Sequence, residues 1–245
     1  LVPFKFRAEI EMTYRFHHQA DPLERARLRV VLATVFLNVI AVALLTLVPG
    51  SNWRTGLALN LLDNFLLLGF VFLRRDLLIA RLLVFGLAVG VAELPADAWL
   101  VQHTHTLSYA VGGGPMLWCS PVWMPFAWEV VAVQFGYLGL RLWESFGGVG
   151  LLLIAALGAV NIPYYEEMAR HIHWWTYSGC RMISFTPYYI IVGEAGIAVA
   201  LTLLAVQLRR GTWKKAAVAG LAGGLAIFVC YALAYLVTDG GHRAR

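Results

Sequence analysis

The stretch LLIARLLVFGLAVGVAELPADAWL, Leu77–Leu100, decides the fold. Apart from Arg81 near its start and Glu93 and Asp97 near its end it is apolar or small. As a helix it is about 36 Å long at 1.5 Å per residue, enough to cross about 30 Å of hydrocarbon. Gly86, Gly90, Glu93 and Asp97 recur at i, i+4, i+7 and i+11, which puts small and acidic side chains on one helical face. Pro95, between the two acids, predicts a kink.

Working outward, six further stretches have the same character, at about 29–48, 55–73, 122–140, 147–163, 186–208 and 213–237. Pro49-Gly50-Ser51-Asn52, Arg74-Arg75-Asp76 and Arg209-Arg210-Gly211 separate neighbours. The expected fold class is all-α, a polytopic membrane protein of about seven transmembrane helices in one bundle. A cytoplasmic segment 1–28 would precede the bundle 29–237, and a tail 238–245 would follow it. Composition agrees, since the 245 residues are 60% hydrophobic and only 13% charged, where a soluble domain has about 25% charged residues. No internal repeat is evident. The opening Leu1-Val2-Pro3 has no Met, as in a trimmed or tagged chain, and no secretory signal is expected there.

The net charge of +5 is explained by a membrane without a nucleic-acid partner. Fourteen Lys and Arg fall on one side of the predicted bundle: Lys5, Arg7, Arg15, Arg25, Arg27, Arg29, Arg74, Arg75, Arg81, Arg141, Arg209, Arg210, Lys214 and Lys215. Five fall on the other, Arg54, Arg170, Arg181, Arg243 and Arg245. A cytoplasmic N-terminus and a non-cytoplasmic C-terminus are therefore expected. The long connections 101–121 and 164–185 then share the outer face.

The chemistry lies in acids inside the spans. An ionisable group at mid-bilayer costs at least about 2.5–3.5 kcal/mol, so it is expected to face the bundle interior and to serve function. Asp63, Glu93, Glu129 and Glu194 each fall roughly seven or eight residues from the outer end of a span, one layer about 11–12 Å deep. Asn38, Asn60 and Gln134 add polar groups to the same interior. A carboxyl in dry surroundings keeps its proton, because desolvation disfavours the anion, and can protonate an alkene or epoxide. Aromatic faces stabilise the resulting carbocation. The chain has 9 Trp, 10 Tyr and 13 Phe, with Trp123, Phe126 and Trp128 beside Glu129 and with Trp174 and Tyr188 as further candidates for contact with substrate.

The segment Trp123-Met-Pro-Phe-Ala-Trp-Glu-Val-Val131 resembles the Pro-then-Trp-Glu helix of the small seven-helix membrane terpene cyclases of fungal meroterpenoid and indole-diterpene pathways. The resemblance implies that Glu129 is one of two acids that protonate a prenyl chain. The second acid is Glu194 or Glu93. A more distant likeness is to the membrane lycopene cyclases, which use intramembrane carboxylates without metal or redox cofactor. Pro187-Tyr-Tyr-Ile-Ile-Val-Gly-Glu194 also looks like a helix of bacterial membrane proteins of similar size. On this basis the chain is expected to be an isoprenoid cyclase, of isomerase or lyase type, with Glu129, Glu194, Glu93, Asp97 and Asp63 as catalytic candidates. No cofactor is expected, and the partners are a hydrophobic isoprenoid and membrane lipid.

Other constellations define the alternatives. His103-Thr-His105 and His171-Ile-His173 suit a metalloenzyme, and buried acids suit a proton-coupled transporter. A pigment- or lipid-binding subunit would use the aromatics alone. Cys119 and Cys180, in the two outer connections, are candidates for a disulfide, and Cys230 for helix packing. Lys5, Lys214 and Lys215 all lie outside the middle of a span, which argues against a retinal Schiff base. Gly112-Gly-Gly114 reads as a turn, and the Gly and Ala of 216–225 as close helix packing.

Overall fold

A computed structural model describes residues 21–110 and 114–240. Lys5, Arg7, Arg15, Gly112, Gly113, Arg243 and Arg245 lie outside the described residues. The chain is all-α, with helices α1 Pro22–Leu45, α2 Trp53–Arg74, α3 Leu77–Ala92, α4 Leu94–Gln102, α5 Met124–Phe146, α6 Gly148–His171, α7 Tyr188–Val206 and α8 Trp213–Thr238. α3 and α4 form one broken rod, and six of the resulting seven rods are long and apolar enough to cross a membrane. The seventh, α5, carries Glu129, Arg141 and Glu144. Six very short strands, β1 Leu107–Tyr109, β2 Met116–Leu117, β3 Ser120–Pro121, β4 Trp175–Tyr177, β5 Met182–Ile183 and β6 Thr186–Pro187, cap one end of the bundle.

Helix starts follow local chemistry. Asp21 caps α1 ahead of Pro22, Asn52 and Thr55 form a capping box on α2, and Asp76 accepts from the amides of Leu78 and Ile79 at 3.0 and 2.9 Å to start α3. The kink expected at Pro95 falls at Glu93, because a proline lacking its N–H is best placed in the first turn of a new helix, here α4. The expected end of the fifth span at Pro163 is corrected: α6 runs through that proline to His171, so Glu166 is helical and no longer part of a loop. One proline removes a single ladder bond, and Tyr164 Oη, donating to the Val39 carbonyl at 2.5 Å, ties this turn to α1.

Close packing of α3, α5, α7 and α8 makes the core. A Cβ on Gly86 or Gly90 would run into the α5 backbone at Glu129 or Pro125, and one on Gly158 into the α7 backbone at Glu194. The small residues predicted on α3 and α8 therefore let backbones touch, as Gly220 on Phe85 and Gly224 on Ala92 do between those two helices.

At the end opposite the strands, one ionic network ties four elements. Buried Glu24 meets Arg27 at 2.5 Å and Arg209 at 3.1 Å, and Tyr137 donates to it at 3.1 Å. Arg27 also reaches Asp76 at 2.7 Å, and Arg209 pairs with Glu144.

The strands reveal what the sequence did not, an internal two-fold repeat. His103-Thr-His105-Thr-Leu-Ser-Tyr109 corresponds to His171-Ile-His173-Trp-Trp-Thr-Tyr177, and Met116-Leu-Trp-Cys-Ser-Pro121 to Met182-Ile-Ser-Phe-Thr-Pro187. Corresponding residues share backbone form: His105 and His173 have φ of 52° and 60°, Trp118 and Ser184 of 57° and 55°. Met116 pairs with Pro121 as Met182 pairs with Pro187. β1 and β4 pair antiparallel about Ser108↔Thr176, and the flanking bonds Ala110 N to Trp174 O and Ser178 N to Thr106 O are two-fold mates. Each repeat runs toward the strands through one rod, turns through a hairpin, and returns through the next helix, so the two are parallel.

Gly90→Leu is expected to destabilise the fold by about 1–3 kcal/mol through overpacking against Pro125. Thermal unfolding in detergent measures this. An unchanged midpoint contradicts the packing.

Candidate active site

Four acids occupy one tier below the strands. Asp97 stands five residues before the end of α4 at Gln102, and Glu166 five before the end of α6 at His171. Glu129 stands five after Met124, and Glu194 six after Tyr188. That is about 8–9 Å in from the helix ends. Counted from the repeated motifs, Asp97 stands six before His103 and Glu166 five before His171, and Glu129 eight after Pro121 and Glu194 seven after Pro187, so the acids of the two halves lie at similar depth one residue out of register. The expected single layer of Asp63, Glu93, Glu129 and Glu194 is thereby corrected: Glu93 is nine residues from Gln102 and Asp63 ten from Trp53, so both lie deeper.

Three of the four upper acids open onto one cavity of about 260 Å³. Asp97, Glu166 and Glu194 line it together with Tyr109, Tyr177, Tyr231, Trp123, Trp128, Trp174 and Trp175. Larger than the ~150 Å³ apolar cavity that admits benzene, it has room for several isoprene carbons. Trp123, Trp174 and Trp175 form a continuous aromatic wall with ring centroids 5.4–6.1 Å apart.

Each cavity carboxyl is met by donors. Tyr109 and Ser120 both donate to Asp97 Oδ2, Ser120 at 2.7 Å. Trp175 Nε1 donates to Glu166 Oε2 at 2.5 Å and Tyr177 to Oε1 at 3.4 Å. Glu194 receives one such bond, from Tyr231 at 2.5 Å. Tyr109 and Tyr177 occupy equivalent places in the paired strands, and each serves an acid of the helix that leads into its own strand. Burial first, and then the carboxyls beside them, push both phenols well above the usual tyrosine range. They therefore remain donors at any physiological pH.

The other sequence candidates are placed differently. Glu129 is buried but does not line the cavity, although its neighbours Trp128 and Val130 do. Phe126 and Tyr188 are likewise outside the lining, and Tyr188 is 40% exposed. Glu93 and Asp63 are fully buried with no hydrogen bond to either carboxyl oxygen, and Asp63 faces Asn38 without reaching bonding geometry. A dry, unbonded carboxyl is tolerable as the neutral acid. Tyr109, Tyr177 and Tyr231 were not singled out by sequence, and Glu166 and Trp175 stand out there only as members of the outer connection 164–185, Glu166 as a neighbour of the His171-Ile-His173 pair. The signal that was available was the recurrence of Tyr eleven or twelve residues after Glu166 and Asp97.

The histidines shape turns. His103 stacks on Trp99 at 6.0 Å, His105 bonds the Val101 carbonyl at 3.1 Å, and His171 bonds Glu167 at 3.1 Å. His105 and His173 supply the left-handed residue of the two equivalent turns. Among the described residues no three His, Cys, Asp or Glu side chains gather as a metal site requires. The disulfide considered for Cys119 and Cys180 is corrected, since both are free thiols, as is Cys230.

The fold and cavity define an all-α protein with a chamber walled by aromatics and lined by carboxyls toward the strand end. Residues 94–238 match the family described as a domain of unknown function, DUF6989, and as this is more than half of the chain, the protein belongs to that family. The match begins at α4 and ends with α8. It takes in both repeats' strands and all four upper-tier acids and leaves out Asp63 and Glu93. No curated protein and no solved structure matches the chain.

Burial, reinforced by Asp239, pushes the Cys180 thiol up to about 12. At pH 8 only ~1 in 10,000 molecules carries the thiolate. Iodoacetamide at that pH is expected to leave Cys180 unmodified until the protein is unfolded, as read by peptide mass spectrometry. Rapid labelling of the folded protein contradicts this.

Proposed function

We propose that the protein is a multi-pass membrane enzyme that cyclises or isomerises an isoprenoid by protonation, with all seven rods spanning the bilayer. The basic, ionic end faces the cytoplasm, which places the strands and the acid tier toward the other side. The Lys and Arg asymmetry supports this orientation. The observation that carries the reading is the convergence of Asp97, Glu166 and Glu194, from three rods, on one aromatic-walled cavity. The resemblance around Trp128-Glu129 agrees in reaction class, while the cavity lining favours other acids for the proton transfer.

Roles follow from the donors each acid receives, because hydrogen bonds to a carboxylate favour its charged form. Glu194, with a single donor, is the acid. Asp97, with two donors on one oxygen, is the base. Glu194 gives its proton to an alkene carbon or an epoxide oxygen. The cation, held against the Trp faces at about 2 kcal/mol per desolvated contact, is attacked by a second double bond of the same chain. A ring C–C bond closes and a proton leaves the adjacent carbon for Asp97, so substrate and product are isomers. Glu166, close enough to Glu194 and Asp97 to sense both, is placed to return the proton. Trp128, Trp174 and Trp175 exclude water from the cation.

Membranes containing the protein, supplied with prenylated alcohols, prenylated phenols and their terminal epoxides, are expected to yield an isomer of unchanged mass. In D2O that product carries one deuteron. Glu194→Gln and Asp97→Asn each lower turnover by about 10²–10⁴ with helicity intact. Glu129→Gln, removed from the cavity, loses less than about tenfold by the same rule. Full turnover by Glu194→Gln rejects the assignment. Loss confined to Glu129→Gln returns the donor to that residue.

The repeat favours one second reading, a transporter, since parallel repeats with a shared central site are a transporter architecture. Proton-driven uptake of a solute into liposomes, abolished by Asp97→Asn and without product formation, would establish it.

A further inference from the structure

Below the acid tier the cavity has a second polar wall. Asn38 on α1, Asn60 on α2, Gln134 on α5 and Asn161 on α6 all line it. Gln134 lies five residues beyond Glu129 and Asn161 five before Glu166, so both amides sit about 7–8 Å farther along the bundle than the acids. Their hydrogen-bonding capacity is not used up. Gln134 gives one N–H to Thr34 at 3.2 Å, which leaves its other N–H and its carbonyl. Asn60 gives one N–H to the Gly56 carbonyl at 2.8 Å and keeps its own oxygen. Asn161 is itself exposed on an apolar helix, beside exposed Leu157 and half-buried Ile162, and makes no side-chain hydrogen bond among the described residues. With this helix spanning the bilayer as proposed, no water reaches it at that depth, and a carboxamide unsatisfied in hydrocarbon costs about 1–3 kcal/mol, so a partner is called for. The lining contains no Lys, Arg or His, and its charges are carboxyls alone. An anionic head such as a diphosphate would meet no counter-charge there.

We propose that Asn38, Gln134 and Asn161 form a head-group subsite that binds a neutral oxygen function, a hydroxyl or carbonyl, of an amphipathic prenyl compound. Resting on the proposed cyclisation, the subsite gives the chain its direction. The oxygenated head is held at the amides, the prenyl part lies along Trp128 and Phe135, and the reacting double bond reaches Glu194 and Asp97.

Binding to the purified full-length protein in detergent, followed by quenching of the cavity tryptophans, tests this with three probes. Farnesol, deoxyfarnesol (the same triene with CH3 in place of CH2OH) and farnesyl diphosphate share a chain and differ in the head. Farnesol is expected to bind at least about tenfold more tightly than either of the others, the equivalent of one to two net hydrogen bonds. The double variant Gln134→Leu/Asn161→Leu is expected to lose that preference while its deoxyfarnesol affinity is kept. Equal binding of farnesol and deoxyfarnesol by the native protein overturns the subsite, as does an unaltered preference in the folded double variant. Tightest binding of the diphosphate overturns the neutral head. If the double variant does not fold, the native probe order decides alone. Turnover plays no part in this measurement: equal probe binding leaves the cyclase reading standing, and full turnover by Glu194→Gln removes that reading without touching the probe order.

Discussion

A carboxyl taken out of water can hold a charge only where the protein gives it hydrogen-bond donors, and the architecture at the strand end of the bundle supplies them to the acids of the chamber. Helix backbones have no free N–H to offer in mid-helix, so the donors come from outside the helices that carry the acids. Tyr109 and Tyr177 reach their acids because β1 and β4 pair across the centre of the molecule, which pins each phenol beside the mouth of a different rod. Ser120 reaches Asp97 from the first hairpin. Tyr231 reaches Glu194 because Gly193 lets the α8 ring lie against the α7 backbone. Each short strand is too small to be stable alone, and β1, β3 and β4 supply the donors for Asp97 and Glu166.

The bundle was legible in the sequence because its periodicity and length are local properties. The rods fall where apolar runs fall, and the breaks at Pro49–Asn52, Arg74–Asp76 and Arg209–Gly211 stand between helices. Glu93, Asp97, Glu129 and Glu194 were conspicuous because charge is rare in such runs. Glu166 was hidden by Pro163, which looked like the end of a helix and was a residue within one. The repeat was hidden by unequal spacing of its motifs, six residues between Tyr109 and Met116 against four between Tyr177 and Met182, and by divergence of the sequence around two short motifs. Which acids share a cavity is a matter of helix rotation, and burial alone does not encode it: Glu129 and Glu194 are equally buried and only one faces the chamber.

The two ends of the bundle handle charge in opposite ways. At the ionic end carboxylates are neutralised by guanidinium groups, as Glu24 is by Arg27 and Arg209, and burial with paired charge makes a clamp between helices. At the strand end no cation lines the chamber, and the acids are attended by neutral phenol, indole and hydroxyl donors. Neutral donors leave an acid free to exchange its proton, whereas a guanidinium locks the anion in place. The family match covers all the neutral donors together with Glu144 and Arg209 of the clamp, and omits the α1–α3 segment that supplies Glu24, Arg27 and Asp76 to it.

Two identical copies meeting about a two-fold axis must present the same face to each other, and a site on such an axis cannot tell one end of a ligand from the other. Here the two like halves belong to one chain and are free to differ. Six residues separate Tyr109 from Met116 and four separate Tyr177 from Met182, and Glu194 faces the chamber while Glu129 does not. The chamber therefore has a left and a right.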